Sequence, residues 1–259
     1  IGFAGIRFLF AGILVTILAI IQKRKFKVEQ KSVVAWLLLF ALVNTALHYL
    51  FSYVGLGYLP SSRSTILDSM NGFFAIILSC IIFEDDKFSK FKALGCILGF
   101  SGILLINIEP GQNFFQGISF RGDGMILLNA LCGAFGGIIT RIISKKMDMT
   151  VATSLSMTIG GAFLCVVSAI IGPAARWTIT TESIIIMIGL ILISAVCFGV
   201  YNQLLAYHPI SKIAIFNAFI PILGVIFSSI ILGEPMRVKY IIAGCMVALG
   251  VYVMNHFSK

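Results

Sequence analysis

An aspartate inside an apolar stretch is the strongest candidate for chemistry in this sequence. Asp68 follows the start of its run at Ser61 by about two helical turns, roughly 10 Å at 1.5 Å per residue. A carboxylate at the centre of a lipid bilayer costs ~2.5–3.5 kcal/mol, so it must face protein or water. Asp68 could carry a proton or bind a substrate amine. Alternatively, it is a structural acid that pairs with Arg63 or Arg7 or accepts hydrogen bonds from serine and threonine.

Polar residues at helical spacing extend this candidate site. Asn44, His48 and Ser52 follow one another at i,i+4 steps, and Asn71 continues a polar face on the stretch that carries Asp68. Polar stripes in lipid must face inward, either to a cavity or to a neighbouring helix. His48 could therefore line a cavity or act as an ordinary hydrogen-bonding residue. Further residues that could line the same cavity are Asn129, Tyr201, Asn202 and Asn217.

A proline within a later apolar stretch is a candidate hinge. Pro221 removes one backbone donor, and its ring clashes with the preceding turn. This frees a carbonyl near Asn217 and permits a bend. A moving hinge and a static kink are both consistent with the sequence.

The composition places these residues in a membrane. Hydrophobic residues make up 59% of the 259-residue chain and charged residues 11%, against about 25% in soluble domains. The net charge of +9 is explained by basic loops on one side of a bilayer, so no nucleic-acid partner is expected. The six cysteines are scattered within apolar runs without a CxxC pair, so neither a metal nor another cofactor is predicted.

The apolar runs predict an all-α polytopic membrane protein with nine spanning helices, each near the ~20 residues that cross a bilayer. The loops between them are short, so neighbouring helices are expected to pack antiparallel. The predicted ranges are 1–21, 33–56, 61–83, 93–108, 124–144, 149–171, 184–207, 211–232 and 240–256.

Residues 58–107 and 207–255 repeat one pattern: Tyr-x-Pro-x-Ser-basic, an apolar run, Glu, a basic patch, Gly-Cys and Asn. Ala11–Gly12 likewise matches Gly160–Gly161, but the helix before the latter has no counterpart ahead of residue 1. We therefore expect an inverted-repeat bundle of ten helices, five plus five, with one upstream of this sequence. The predicted domains are 1–108, a repeat lacking its first helix, an extracytoplasmic connector at 109–121, and a second repeat at 122–259.

The distribution of lysine and arginine predicts the orientation. Most of these residues fall in loops on one side, which should be cytoplasmic. The carboxyl terminus would then be cytoplasmic, and the chain would be a multi-pass protein of the cytoplasmic membrane.

Three segments resemble the EamA family of the drug/metabolite transporter superfamily: Arg7-Phe8-x-x-Ala11-Gly12, residues 211–235 ending in Leu-Gly-Glu-Pro, and residues 243–250. The first repeat departs from the second at Asn71, which occupies the position of Pro221. The resemblance implies ten helices around a central cavity and alternating access for small organic metabolites.

The leading interpretation is a secondary transporter, a permease or exporter of small metabolites such as amino acids. An ion gradient or exchange would drive it, since the sequence carries no ATP-binding signature. An intramembrane enzyme that uses His48 and Asp68 as acid and base is an alternative, as is a structural subunit without transport activity. The expected partners are a small-molecule substrate and the lipid bilayer, and a homodimer is left open.

Overall fold

The computed structural model describes residues 1–26, 31–83, 89–107, 118–172, 180–208 and 219–256. Within these ranges the chain is helical and contains no β-strand, which confirms the all-α prediction. Six helices are long and apolar enough to cross a membrane, and two shorter apolar helices, Ile220–Leu232 and Val238–Val253, accompany them.

The first half of the chain folds into six α-helices and one π-helical segment, π1. They are α1 Gly2–Ile21, α2 Lys31–Phe40, π1 Ala41–Leu47, α3 His48–Leu56, α4 Ser61–Asp68, α5 Met70–Ile82 and α6 Lys90–Asn107.

The described part of the second half contributes a second π-helical segment, π2, and five α-helices. They are π2 Phe120–Gly124, α7 Met125–Ile143, α8 Met149–Ile171, α9 Thr181–Tyr207, α10 Ile220–Leu232 and α11 Val238–His256. The predicted helix at 211–232 is described only from residue 220, because residues 209–218 lie outside the described ranges.

Two interruptions within predicted spans are not visible in the hydrophobic pattern. The span from Lys31 to Leu56 contains π1, a wide-turned geometry that is rare and is often found at functional sites. The predicted helix 61–83 is divided at Ser69, whose hydroxyl donates to the Ile66 carbonyl and so competes with the regular backbone ladder.

The helix start that follows Ser69 has a counterpart in the repeat. Helix α5 begins at Met70 and α10 begins at Ile220, and these residues occupy equivalent positions in the two copies. Pro221 lies in the first turn of α10, where a missing N–H leaves no hydrogen bond unmade. The first copy starts its helix at the same place with Asn71 instead of proline.

The contacts divide the chain into two compact units, each built from both halves of the sequence. The first unit comprises residues 1–50 and 136–207, and the second comprises residues 51–135 and 208–259. The boundaries fall within α3 and α7. The predicted domains, which follow the sequence repeat, stay a prediction.

In the first unit α1 packs against α8 through small residues at matched positions of the repeat. A Cβ at Gly12 would lie 2.5 Å from the Thr158 nitrogen, and a Cβ at Gly161 would overlap the Leu9 nitrogen. Each glycine therefore allows the two backbones to approach closely, which is how helices associate in lipid.

In the second unit α6 packs against α11 in the same manner. A Cβ at Gly102 would lie 2.9 Å from the Ala243 carbonyl oxygen, and one at Gly250 would lie 2.6 Å from the Gly95 carbonyl oxygen. Since α6 and α11 are repeat counterparts, as α1 and α8 are, each unit contains a pair of equivalent helices in close contact.

We predict that Gly161→Ala destabilises the protein by ~1–3 kcal/mol, since the added methyl group must push α1 away from α8. Gly189→Ala on α9 is the matched control, because nothing lies within 4 Å of a Cβ built there. The control substitution should leave the stability unchanged or raise it slightly, because alanine favours the helical conformation more than glycine does. Thermal unfolding in detergent measures both. Equal melting temperatures for the two variants would contradict the close packing of these helices.

Candidate functional site

The predicted site residues fall into two polar clusters, one in each unit. The cluster of the second unit is organised by α4, whose sequence SSRSTILD is far more polar than the helices around it. Three residues outside α4 bind it: Glu234 at its first turn, Asp123 beside Arg63, and Asn129 beside Asp68.

The charge of Arg63 is compensated by Asp123 of π2. The guanidinium Nη2 lies 2.6 Å from Asp123 Oδ1, and Nε donates to the same oxygen at 2.8 Å. Only 4% of the Asp123 side chain is exposed, and its second oxygen accepts from the Ser119 backbone N–H at 2.9 Å. A buried pair satisfied in this way holds α4 against the start of α7.

Asp68 is the last residue of α4 and is half-buried. The Asn129 side chain donates Nδ2–H to Asp68 Oδ1 at 2.5 Å, and Asn129 is itself buried on α7. Two residues singled out from sequence are therefore in contact. Of the two arginines considered as partners of Asp68, Arg63 binds Asp123, and Arg7 Nε donates to Ser194.

A buried hydroxyl lies one turn before this aspartate. Ser64 shares the face of α4 with Asp68, and its Oγ has no hydrogen-bond partner within the described part of the chain. Buried polar atoms are almost always satisfied by protein or water. The face of α4 around Asp68 therefore offers a hydrogen-bonding position to a water or solute.

Glu234 caps the amino terminus of α4 from the loop after α10. Its carboxylate accepts the backbone N–H groups of Ser61 at 2.6 Å and Ser62 at 3.0 Å, and the Ser62 hydroxyl at 2.7 Å. Burial tends to raise the pKa of Glu234, but the hydrogen bonds from Ser62 and Ser61 outweigh it, and the pKa lies below its ordinary value. The sequence did not predict this bond, because it joins residues distant in the chain.

In the first unit the polar cluster begins with Arg7 of α1. Its Nε donates to Ser194 Oγ of α9 at 2.7 Å, and its guanidinium carbon lies 4.9 Å from the Phe8 ring centroid and 5.8 Å from that of Tyr49. Phe198 packs edge-on to Phe8 at 5.8 Å. Sequence reasoning treated Arg7 as a side chain reaching for the surface, whereas its guanidinium is held among aromatic rings and a serine.

The π1 segment carries Asn44 into close packing. A Cβ built at Gly136 of α7 would lie 3.2 Å from the Cβ of Asn44. The Asn44 Nδ2 atom is buried and has no hydrogen-bond partner in the described residues. The next residue, Thr45, shares a hydrogen bond of 3.1 Å with Ser156 of α8. The wide turn of π1 changes the side-chain register, so a stripe calculated for a regular α-helix does not carry through it.

Helix α9 directs its amide side chains to α8. Asn202 donates to Thr153 Oγ1 at 3.0 Å, and Gln203 donates to Thr150 Oγ1 at 2.8 Å. Asn202 is buried, as a cavity or interface residue would be, whereas Tyr201 is 36% exposed. The threonines of α8 were not predicted, although their spacing of three residues was a readable signal.

The remaining candidates contribute less defined geometry. His48, Ser52 and Asn71 are half-buried, and His48 contacts Tyr49 edge-on with ring centroids 4.8 Å apart. Asn217 lies outside the described residues, as does Glu84.

No group of three or more metal-binding side chains occurs among the residues that the structure describes. The six cysteines are free thiols. The polar groups described around Asp68 are amides and hydroxyls, which donate and accept hydrogen bonds.

Membrane-crossing helices built from paired repeat elements, with polar groups directed into each unit, define a polytopic membrane transporter. The model of the EamA-like transporter family matches residues 1–108 and again 120–256, so the chain belongs to this family.

The chain is also similar to individual proteins over nearly its whole length. The chain is 27% identical over 261 residues to "Uncharacterized transporter YvbV" of Bacillus subtilis, covering 99% of this chain and 83% of that protein. It is 25% identical to the chloroplastic WAT1-related protein At3g02690 of Arabidopsis thaliana, covering 97% of this chain and 62% of that protein. A solved crystal structure has the same fold with a TM-score of 0.72 at 10% identity, covering 99% of this chain and 88% of the other.

We predict that Glu234→Gln lowers the melting temperature at pH 7 by a few degrees, since a lost helix cap costs ~1 kcal/mol. Because the folded pKa is lowered, the carboxylate's contribution is complete above the ordinary value of 4.5 and is lost as the pH falls through the folded pKa. The difference in melting temperature between Glu234→Gln and the wild type should therefore become smaller as the pH is lowered.

Thermal unfolding in detergent between pH 3 and pH 8 checks this expectation. The control is Glu182→Gln, which neutralises an exposed acid in the first turn of α9. A Glu234→Gln difference that grows in acid, or that equals the control at pH 7, would show that the carboxylate does not cap α4.

Proposed function

We propose that this transporter is a secondary carrier of small organic metabolites, such as amino acids or related compounds, and that Asp68 couples transport to protons. The observation that carries the proposal is the position of Asp68 at the interruption between α4 and α5, in hydrogen-bond contact with Asn129. Acids inside membrane spans are costly and mark proton relays and substrate sites.

The partner of Asp68 suits a group that changes its protonation. An asparagine side chain has both a donor and an acceptor, so it can donate Nδ2–H to an ionised carboxylate and accept from a protonated one after rotating. Asn129 is buried and therefore well positioned to serve both states. A salt bridge from Arg63 would instead have held Asp68 permanently ionised, but Arg63 is taken by Asp123.

Interruptions of spanning helices support a transport cycle. In inverted-repeat carriers, substrates and coupling ions bind near the midplane beside discontinuous helices. The break between α4 and α5 before Met70 is such a discontinuity, and the start of α10 at Ile220 occupies the equivalent position of the second copy. The two repeats would then rock to open the cavity alternately to either side of the cytoplasmic membrane, with the lysine-rich side and the carboxyl terminus in the cytoplasm.

The polar groups around the helix interruption indicate which chemical groups the substrate carries. Ser64 Oγ, one turn before Asp68, is buried without a partner in the described residues and can bind a neutral polar group. An acid together with hydroxyls and amides favours solutes that carry an amine beside hydrogen-bonding groups.

The test is counterflow in proteoliposomes with labelled amino acids, amines and nucleosides, with and without a pH gradient. Asp68→Asn should retain saturable exchange while losing gradient-driven accumulation, because exchange needs no net proton movement. Glu182→Gln, the same chemical change at an exposed acid, should leave both activities intact.

Other outcomes reassign the residue. Loss of exchange and accumulation together, in a variant that elutes normally from size exclusion, would make Asp68 a substrate ligand. Accumulation that persists in Asp68→Asn would refute proton coupling through this residue. Absence of exchange with every solute in the panel would count against the proposed substrate class.

A further inference from the structure

A basic pocket lies at the lysine-rich end of the first unit, away from the residues assigned to transport. Its volume is about 980 Å³, and it opens where α1 and α9 end and where α7 turns into α8. Its lining residues are Gln22, Lys23, Arg24, Lys25, Ser144, Lys146, Met147, Asp148, Met149, Ala206 and Tyr207.

The charge of this pocket is strongly unbalanced. Four basic side chains line it against one acid. The acid, Asp148, is already engaged by Arg24, whose Nη1 lies 3.3 Å from Oδ2. Lys23, Lys25 and Lys146 therefore leave a net positive field, although the carbonyl ends of α1 and α9 also point toward it.

The turn that ends α1 places these cations. Lys23 adopts a left-handed backbone with φ 54, and the next backbone N–H, that of Arg24, bonds to the Ala19 carbonyl at 2.9 Å. This closes α1 and sends Lys23, Arg24 and Lys25 across its end. From the α7–α8 turn, Lys146 lies 5.6 Å from the Trp36 ring centroid, which restricts where its ammonium group can go.

The surroundings are those of a membrane surface. Tyr207 is 79% exposed at the end of α9, and tryptophan and tyrosine concentrate where helices leave the hydrocarbon. The same two helices, α1 and α9, also form an apolar groove of about 280 Å³ further into the span. Its lining is entirely apolar: Phe10, Ile13, Leu14, Ile17, Ile188, Ile191 and Leu192.

We propose that the basic pocket binds the phosphate head group of an anionic phospholipid, with an acyl chain against the α1 side of the groove, where Ile17 lies ~8 Å along the helix from Gln22. A phosphodiester supplies the negative charge that the lysines lack, and basic pockets at membrane surfaces bind such head groups. The proposal is independent of the transported solute and of Asp68.

The test is lipid retention by the purified protein in a neutral detergent, measured by native mass spectrometry. Phosphatidylglycerol should be retained over phosphatidylcholine, and retention should weaken as salt is raised. Lys23→Gln/Lys146→Gln should weaken phosphatidylglycerol binding roughly tenfold or more, since each basic group near a head group contributes severalfold. Lys23→Arg/Lys146→Arg, which keeps both charges, should bind as wild type does.

The matched control is Lys31→Gln/Lys90→Gln, which removes the same charge from helix starts outside the pocket lining. It should change binding little. Equal retention of the two lipids, or equal loss in the control, would overturn the proposal. Displacement of phosphatidylglycerol by inorganic phosphate at comparable concentration would assign the pocket to a free phosphate compound instead of a lipid.

Discussion

The cost of charge in a low-dielectric environment governs the second unit of this protein. Helix α4 carries Arg63 and Asp68 on a segment flanked by apolar helices, and neither charge is tolerated there without a partner. Each partner comes from the π2–α7 segment: Asp123 for the arginine and Asn129 for the aspartate. With Glu234 at its first turn, α4 is bound along its length, so the position of Asp68 is determined by contacts from three other parts of the chain.

The repeat provides the scaffold on which this arrangement is built. Glycines at equivalent places join α1 to α8 and α6 to α11, so packing depends on features that both copies retain. The polar chemistry does not follow the repeat, since Ala218 occupies the position of Asp68 and Pro221 that of Asn71. The repeat thus accounts for the close helix contacts, whereas the acid is present in the first copy and absent from the equivalent position of the second.

The spans were predictable because their signal is local. Runs of about 20 apolar residues and short polar loops define a membrane helix regardless of its neighbours, and the range 149–171 agrees with α8 at both ends. The π1 segment and the break at Ser69 were not predictable in this way. At Ser69 the side-chain hydroxyl competes with backbone hydrogen bonds, and an apolar pattern does not record that competition.

The candidate site, like the fold, was only partly predictable from the sequence. Asp68 and Asn129 could be selected from the sequence because a polar residue within an apolar run requires an explanation. In the structure the two residues are in contact. The pairing of Asp68 with Asn129 could not be predicted from the sequence, since on charge alone Arg63 was also a suitable partner for Asp68. What decided it was Asp123, whose position before α7 lets it reach Arg63 and the Ser119 backbone at once.

The asymmetry between the copies bears on mechanism more than any single contact. A symmetric carrier would present equivalent polar groups to each side of the membrane, whereas here one copy alone places a carboxylate at the helix break. A proton bound at Asp68 would change the charge of one repeat and leave the other unaltered. If Asp68 carries the proton, as proposed, its protonation would shift the equilibrium between the two open states, as any ligand that binds one state better does.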